Sequence, residues 1–267
     1  FERKTDTTLS GSTVRRIHMV LSSALKQAVK ERIIPYNPCD NCRIPPKEKK
    51  EMTIIPPEKL GVYLSEAEKY GVLPMFFLEL SSGLRRGELL ALRWDDLDVQ
   101  SKTISVSRQY VRNPDGSLEL TRPKTENSVR LVSIPQAAVD LLIQEHNKRQ
   151  NNPYLFPSPL TGEMYHPDSV VNLHKKLLKD AGLPHIRFHD LRHTYAVLAI
   201  KSGDDIKTVQ ENLGHATAAF TLDVYGHVTA QMRRDSADRM EQVIQSMSAG
   251  EIFLPGNKAK NKAKTCF

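Results

Sequence analysis

A mainly α-helical fold carrying a small antiparallel β-sheet is what this chain of 267 residues predicts. Three features predict it. Apolar residues recur at helical spacing along most of the length. The period drops to two only between Thr103 and Ile134, around an Asp115-Gly116 turn signal. Beyond Pro135 the helical spacing returns and continues, apart from a loop around Asn151 to Gly162.

The elements follow in order. Residues 12–33 form a helix with Val14, Ile17, Val20, Leu21, Leu25, Ala28 and Val29 on one face and Ser12 as N-cap. Arg15, Arg16, Lys26 and Lys30 lie mostly off that stripe; they form either a solvated face or one that contacts phosphates. One helix cannot make a domain, so this segment reads as the end of a larger helical module. Pro35 and Pro38 stop it, and a linker rich in Pro and Lys runs to Lys50. The chain thus divides into a helical segment with linker (1–50), a main domain (51–247) and a tail (248–267). Helices are expected at about 57–69 and 73–82, the second broken at Gly83, and a third starts near Arg86 and carries Leu89, Leu90, Leu92 and Trp94. Thr103 to Val111 alternates as a half-buried strand, Ser117 to Thr121 returns, and Val129 to Ile134 adds a third strand, with Lys124 close to the second turn. Pro167 and Gly182 bracket a helix of about 168–181. Further helices are expected at about 190–202, 205–213, 217–224 and 229–247, and the apolar run Ile252-Phe253-Leu254 follows without a partner of its own.

Composition narrows the class. Hydrophobic residues make up 39% and charged residues 26%, so the chain can bury a core as one large domain or two smaller ones. No apolar run approaches the ~18 residues of a membrane span. No signal peptide is visible, so a cytoplasmic protein with no membrane partner is expected. The opening FERKTDT lacks an initiator Met and reads as a truncation. The net charge is +7, and residues 1–50 alone hold 11 Lys/Arg against 5 Asp/Glu. A second basic run spans Lys258 to Lys264. Such asymmetry fits a polyanion partner, most simply nucleic acid, or serves solubility alone. Cys39 and Cys42 form a CxxC without two further ligands nearby, which favours ordinary thiols over zinc.

The chemistry concentrates between Phe188 and His227. In HDLRH, His189 and Arg192 are three apart and share a helix face. Zinc is a rival, because His189 and His193 are four apart, but Asp190 stands where a metalloprotease needs Glu and Arg192 would aim a cation at the metal. A phosphate suits the face better, since a guanidinium fork matches two of its oxygens. Arg85 sits where Gly83 ends one helix and the next begins, another place for an anion, and Glu88 could orient it or cap the turn. His215 follows Gly214 at a helix end, and Tyr225 lies ten residues on. A tyrosine of pKa ~10 is ionised in about one molecule per thousand at pH 7, so as a nucleophile it needs a base or a cationic setting. By itself it is more simply a packing residue.

SGLRRGE, PKTENSVR, HDLRHT, LGHA and VYGH, in that order, resemble the tyrosine recombinases of the phage-integrase superfamily over residues 10–247. The order is far more specific than any one piece. Ser82 replaces the usual Thr of the first motif, and the second histidine position, Trp in some members, is His215. The resemblance implies the tyrosine-recombinase catalytic fold preceded by part of a helical core-binding domain. Tyr225 would attack a DNA phosphate to give a 3′-phosphotyrosyl bond and a free 5′-hydroxyl. Arg85 and Arg192 would hold the non-bridging oxygens, Lys124 would protonate the leaving oxygen, His189 would assist proton transfer and His215 would donate to the phosphate. Neither ATP, metal nor other cofactor is implied. Partners would be double-stranded DNA, copies of the same chain (a dimer on one site, a tetramer in synapsis) and accessory DNA-bending or excision proteins. The tail would pack on a neighbouring protomer, or remain free. The arrangement looks most like integrases of conjugative transposons, which excise and integrate a mobile element. Rival readings are a chromosome-dimer resolvase, a non-catalytic DNA-binding regulator, and a nicking enzyme using the same tyrosine without partner exchange.

Overall fold

The computed structural model describes residues 9–46, 53–122, 129–148 and 152–214, and beyond them 237, 238, 240, 241 and 244, all five helical. The chain divides into two compact units, Phe1–Met52 and Thr53–Phe267.

In the first unit, helix α1 (Gly11–Lys30) is capped by Ser10, not Ser12: Ser10 Oγ accepts from the Thr13 amide at 3.2 Å. A short 3₁₀ turn, Pro38–Asn41, folds back on α1. The side of α1 that meets it is polar. Asn37 Nδ2 donates to Ser22 Oγ (3.0 Å), and His18 Nε2 donates to the Cys39 carbonyl (3.1 Å). The middle of the apolar stripe is open within this unit, with Ile17, Val20 and Leu21 at 46%, 63% and 50% exposure, while Val14, Leu25, Ala28 and Val29 are half-buried. Cys39 is buried and Cys42 exposed; burial, then the neighbouring Cys42, pushes the Cys39 thiol up, away from reactive thiolate.

The second unit is built around helix α3 (Leu73–Ser82), which packs on α2 (Leu60–Lys69), α5 (Gln136–Lys148) and α7 (His189–Ser202). Its sequence, LPMFFLELSS, is apolar nearly all round, as a central helix must be. Phe76, Leu78, Leu89, Ile104, Leu142, Leu177 and Leu191 share one core and are fully buried, each side chain contributing roughly 1.5–3 kcal/mol. Helix α6 (Pro167–Asp180) adds a polar pin: buried His174 donates Nε2–H to the Ile186 carbonyl and accepts from Tyr63 Oη at Nδ1. Burial holds its pKa down at about 4, so it is neutral.

Helix α4 is shorter than its apolar run suggests. It covers Arg86–Leu90, while Leu92 lies beyond it and Trp94 opens a separate 3₁₀ turn. The strand expected from Thr103 to Val111 is two strands. β2 (Thr103–Val106) lies between β1 (Leu97–Asp98) and β5 (Arg130–Ser133) in one antiparallel sheet, while β3 (Gln109–Arg112) pairs, among the described residues, with β4 (Leu118–Thr121) alone. The break falls at Ser107-Arg108, where the Arg108 guanidinium is drawn to buried Asp96 at 2.8 Å. Helix α8 (Ile206–Leu213) packs on both α7 and β5. Among the described residues no helix is long and apolar enough to cross a membrane.

Candidate active site

Two chain reversals bring the chemistry together. At Gly83, φ is +62°, and a Cβ there would stand 2.3 Å from the Tyr195 ring, so only glycine lets α3 end against α7. The Gly83 carbonyl accepts from Arg192 Nη1 at 2.8 Å. At Gly214, again left-handed, α8 ends. The last carbonyls of a helix lack intrahelical partners, and cations suit that end of its dipole. Here three consecutive carbonyls each receive an arginine from a different part of the chain. Asn212 O accepts from Arg130 Nε (2.7 Å), Leu213 O from Arg192 Nη2 (2.5 Å) and Gly214 O from Arg85 Nη2 (2.9 Å).

Glu88 ties two of these cations from below. Its Oε1 accepts from Arg85 Nη1 (2.6 Å) and Arg130 Nη1 (3.1 Å), and its Oε2 from the Arg85 amide (2.9 Å) and Arg130 Nη2 (2.9 Å). The carboxylate is fully buried, which alone would raise its pKa, but the Arg130 hydrogen bonds and charge, then those of Arg85, hold it below the usual range. Glu88 is therefore ionised, both orienting Arg85 and closing the first turn of α4. A second buried carboxyl, Glu79 on α3, is pushed well above the usual range by burial despite the charge of Arg192. Its Oε2 has no hydrogen-bond partner among the described residues. The cluster therefore gathers three guanidiniums around the ionised Glu88.

Arg192 is 2% exposed; burial, then the Arg85 charge, lowers its pKa to about 10, so it stays protonated at neutral pH. Arg85 is more open, with 35% of its side chain accessible. His189 opens α7, and its ring meets His193 edge-on at 5.1 Å between centroids. Burial, then the Arg192 charge, lowers the His189 pKa, and burial, then His189, brings His193 to about 4. Both imidazoles are neutral at pH 7, the form that accepts a proton. Beside them a groove of about 520 Å³ runs between Arg85, Arg86, Lys175, His185, Arg187 and His189. Among the described residues no three His, Cys, Asp or Glu side chains gather as metal ligands would.

Of the six residues expected to act, Arg85, Arg192 and His189 converge with Glu88, while Lys124, His215 and Tyr225 lie outside the described residues. In the first unit, Arg15, Arg16 and Lys26 line a groove of about 600 Å³ with His18 and Ile44. Arg15 is partly committed, donating to the Pro45 carbonyl (2.5 Å), whereas Arg16, Lys26 and Lys30 are exposed. Sequence reasoning gave no role to Arg130, His193 or Glu79. Arg130 had a signal: in β5 it shares the inward face with buried Val132, and an arginine facing inward needs a partner.

Comparison with known proteins agrees with this geometry. Residues 63–232 match the phage integrase family. The ICEBs1 integrase of Bacillus subtilis (strain 168) is 33% identical over 252 residues, covering 90% of this chain and 68% of that protein. A protein of Caldanaerobacter subterraneus subsp. tengcongensis described as tyrosine recombinase XerC-like is 29% identical over 264 residues, covering 88% of this chain and 67% of its own length. Among solved structures, the Tn1549 transposon integrase in complex with transposon right end DNA shares the fold, with a TM-score of 0.76 at 22% identity over 87% of this chain and 80% of that one. With a family match across most of its second unit, and an arginine cluster built around the ordered motifs, this chain belongs to the phage integrase family, the tyrosine recombinases.

Proposed function

We propose that the protein binds double-stranded DNA and recombines it at specific sites through a 3′-phosphotyrosyl intermediate at Tyr225. The observation that carries this reading is the convergence of Arg85 and Arg192 on the turn that leads directly into His215, with neutral His189 alongside. A phosphodiester carries one negative charge and gains a second as a nucleophile adds to phosphorus. Two preorganised guanidiniums suit that developing charge. Tyr225 Oη forms the new bond to phosphorus, the bond to the 5′-oxygen breaks, His189 takes up the tyrosine proton and Lys124 supplies one to the leaving oxygen. His215 donates to a phosphate oxygen. Attack by a partner strand's 5′-hydroxyl then reverses each step, and the ester conserves the bond energy throughout.

Relatives named as integrases of mobile elements favour excision and integration of such an element as the role, carried out as a dimer on one site and a tetramer in synapsis, with accessory DNA-bending or excision proteins. Residues 1–50 contribute the end of a DNA-binding helical module, with Arg15, Arg16, Lys26 and Lys30 toward phosphates, and 248–267 packs on a neighbouring protomer.

The test is a nicked DNA duplex whose cleaved product diffuses away. Wild-type protein forms an adduct that resists SDS, without added magnesium, and Tyr225→Phe binds the same DNA but forms none. An adduct on Tyr225→Phe would remove that residue from the role.

A further inference from the structure

Arg130 belongs to none of the roles above, yet it is among the most constrained side chains in the second unit. Its side chain is 8% exposed, and its guanidinium spans Glu88 with two parallel hydrogen bonds of 3.1 and 2.9 Å. Its Nε takes the Asn212 carbonyl at 2.7 Å. Its stem and head lie so close to Gly214 that a Cβ there would stand 3.2–3.3 Å from Nη1, Cδ and Cζ. One side chain on β5 therefore touches both supports of Arg85: the Glu88 carboxylate, which receives Arg85 Nη1, and the α8 end, whose Gly214 carbonyl receives Arg85 Nη2.

We propose that Arg130 is a positioning residue for DNA strand cleavage, acting through Glu88 and the end of α8 to aim the Arg85 guanidinium at the scissile phosphate. This rests on the reading of the reaction given above. Glu88 is buried and must be charge-balanced. With Arg130 in place, its two oxygens are each shared, so the carboxylate holds Arg85 in one orientation without neutralising it completely. Without Arg130, Glu88 has Arg85 as its one ionic partner among the groups named here, and the pull on that guanidinium is then away from the DNA. The Asn212 carbonyl also loses its donor, which loosens the turn that leads into His215. Lysine cannot substitute, because a single ammonium cannot span both carboxylate oxygens and a carbonyl in fixed directions.

The experiment compares wild-type protein, Arg130→Lys and Arg130→Met on two nicked duplexes, one with an ordinary scissile phosphodiester and one with a methylphosphonate in its place. The methylphosphonate lacks the non-bridging charge that Arg85 is there to meet. Adduct formation, DNA affinity and melting temperature are measured together. We expect both variants to bind DNA as wild type does and to form adduct on the phosphodiester about 10- to 100-fold more slowly, the usual cost of losing an orienting partner. The deficit relative to wild type should shrink severalfold on the methylphosphonate. Arg130→Lys retains a charge at the buried site, so it keeps the test meaningful if Arg130→Met folds poorly. Unimpaired adduct formation by both variants overturns the inference. So does an equal deficit on both duplexes, which would mark a merely structural role. If wild-type protein itself forms no adduct, the reading of the reaction falls, and this inference with it.

Discussion

The same residue types are held in very different ways in the two units. Around the end of α8, Arg85, Arg130 and Arg192 are each fixed by two or more hydrogen bonds, and Arg192 is almost fully buried. On α1, Arg16, Lys26 and Lys30 stand exposed. A cation held in one direction loses little entropy when charge develops in front of it, so it is suited to lowering a barrier. A solvated cation can follow a phosphate backbone of varying shape and suits affinity, which salt then weakens. The contrast therefore predicts that substitutions around α8 act on rate and those on α1 act on binding.

The sharpest way to break that contrast is Arg192→Ala. Removal of one preorganised donor costs roughly 10²–10³ in rate. It also leaves the buried carbonyls of Gly83 and Leu213 without this partner, at about 1–3 kcal/mol each. The rate of adduct formation and the resistance to chemical denaturation should both fall, and loss of either alone would contradict the geometry. Arg85→Ala comes next. It should lose about 10²-fold in adduct formation with a smaller loss of stability, because its side chain is partly open to water.

Dependence on pH sharpens the histidine side of the site. The His189 pKa lies below its ordinary 6.5, so the neutral, proton-accepting form persists as pH falls through that value. The rate of adduct formation should hold as pH falls from about 8 to 6.5 and decline only at lower pH; a decline that begins above about pH 6.5 would remove His189 as the base. Stability follows the same sign. His174 and His193 stay neutral in the fold down to about pH 4, while their unfolded counterparts take up protons near 6.5. Stability present above pH 6.5 is thus lost progressively between 6.5 and 4. Melting temperatures across that window should fall, and His174→Gln, which cannot titrate, should flatten part of the slope.

The smallest effects belong to α1. Arg16→Ala and Lys26→Ala should each weaken DNA binding modestly and lower the slope of log affinity against log salt by about 0.9 per lost phosphate contact. An unchanged slope would mean that this face does not meet DNA.

Most of the helices were legible in the sequence because their apolar spacing and stop signals agree; α3 runs from Leu73 to Ser82 as read, and Gly83 ends it. Strands were harder. Alternation across Thr103–Val111 is continuous in sequence, yet the strand breaks into β2 and β3 where Arg108 pairs with buried Asp96. The α1 stripe shows another limit: periodicity reports that a face is apolar, not what covers it, and within this unit His18 and Ser22 face the 3₁₀ turn instead. In the site, Arg85, Glu88, His189 and Arg192 were found through ordered motifs. Arg130 lies within the motif PKTENSVR, but its partners are a carboxylate 42 positions away and a carbonyl 82 away. No local pattern encodes such a meeting.

The acceptors at the end of α8 belong to the main chain, and this sets what can change there. Replacing the side chain of Asn212 or Leu213 leaves the oxygens at 212 and 213 where they are. Adding or deleting one residue within α8 would turn its final carbonyls by about 100° and offer each arginine the wrong one. The segment should therefore accept new side chains at its exposed positions, though not at buried Val209 and Leu213, and new length hardly at all.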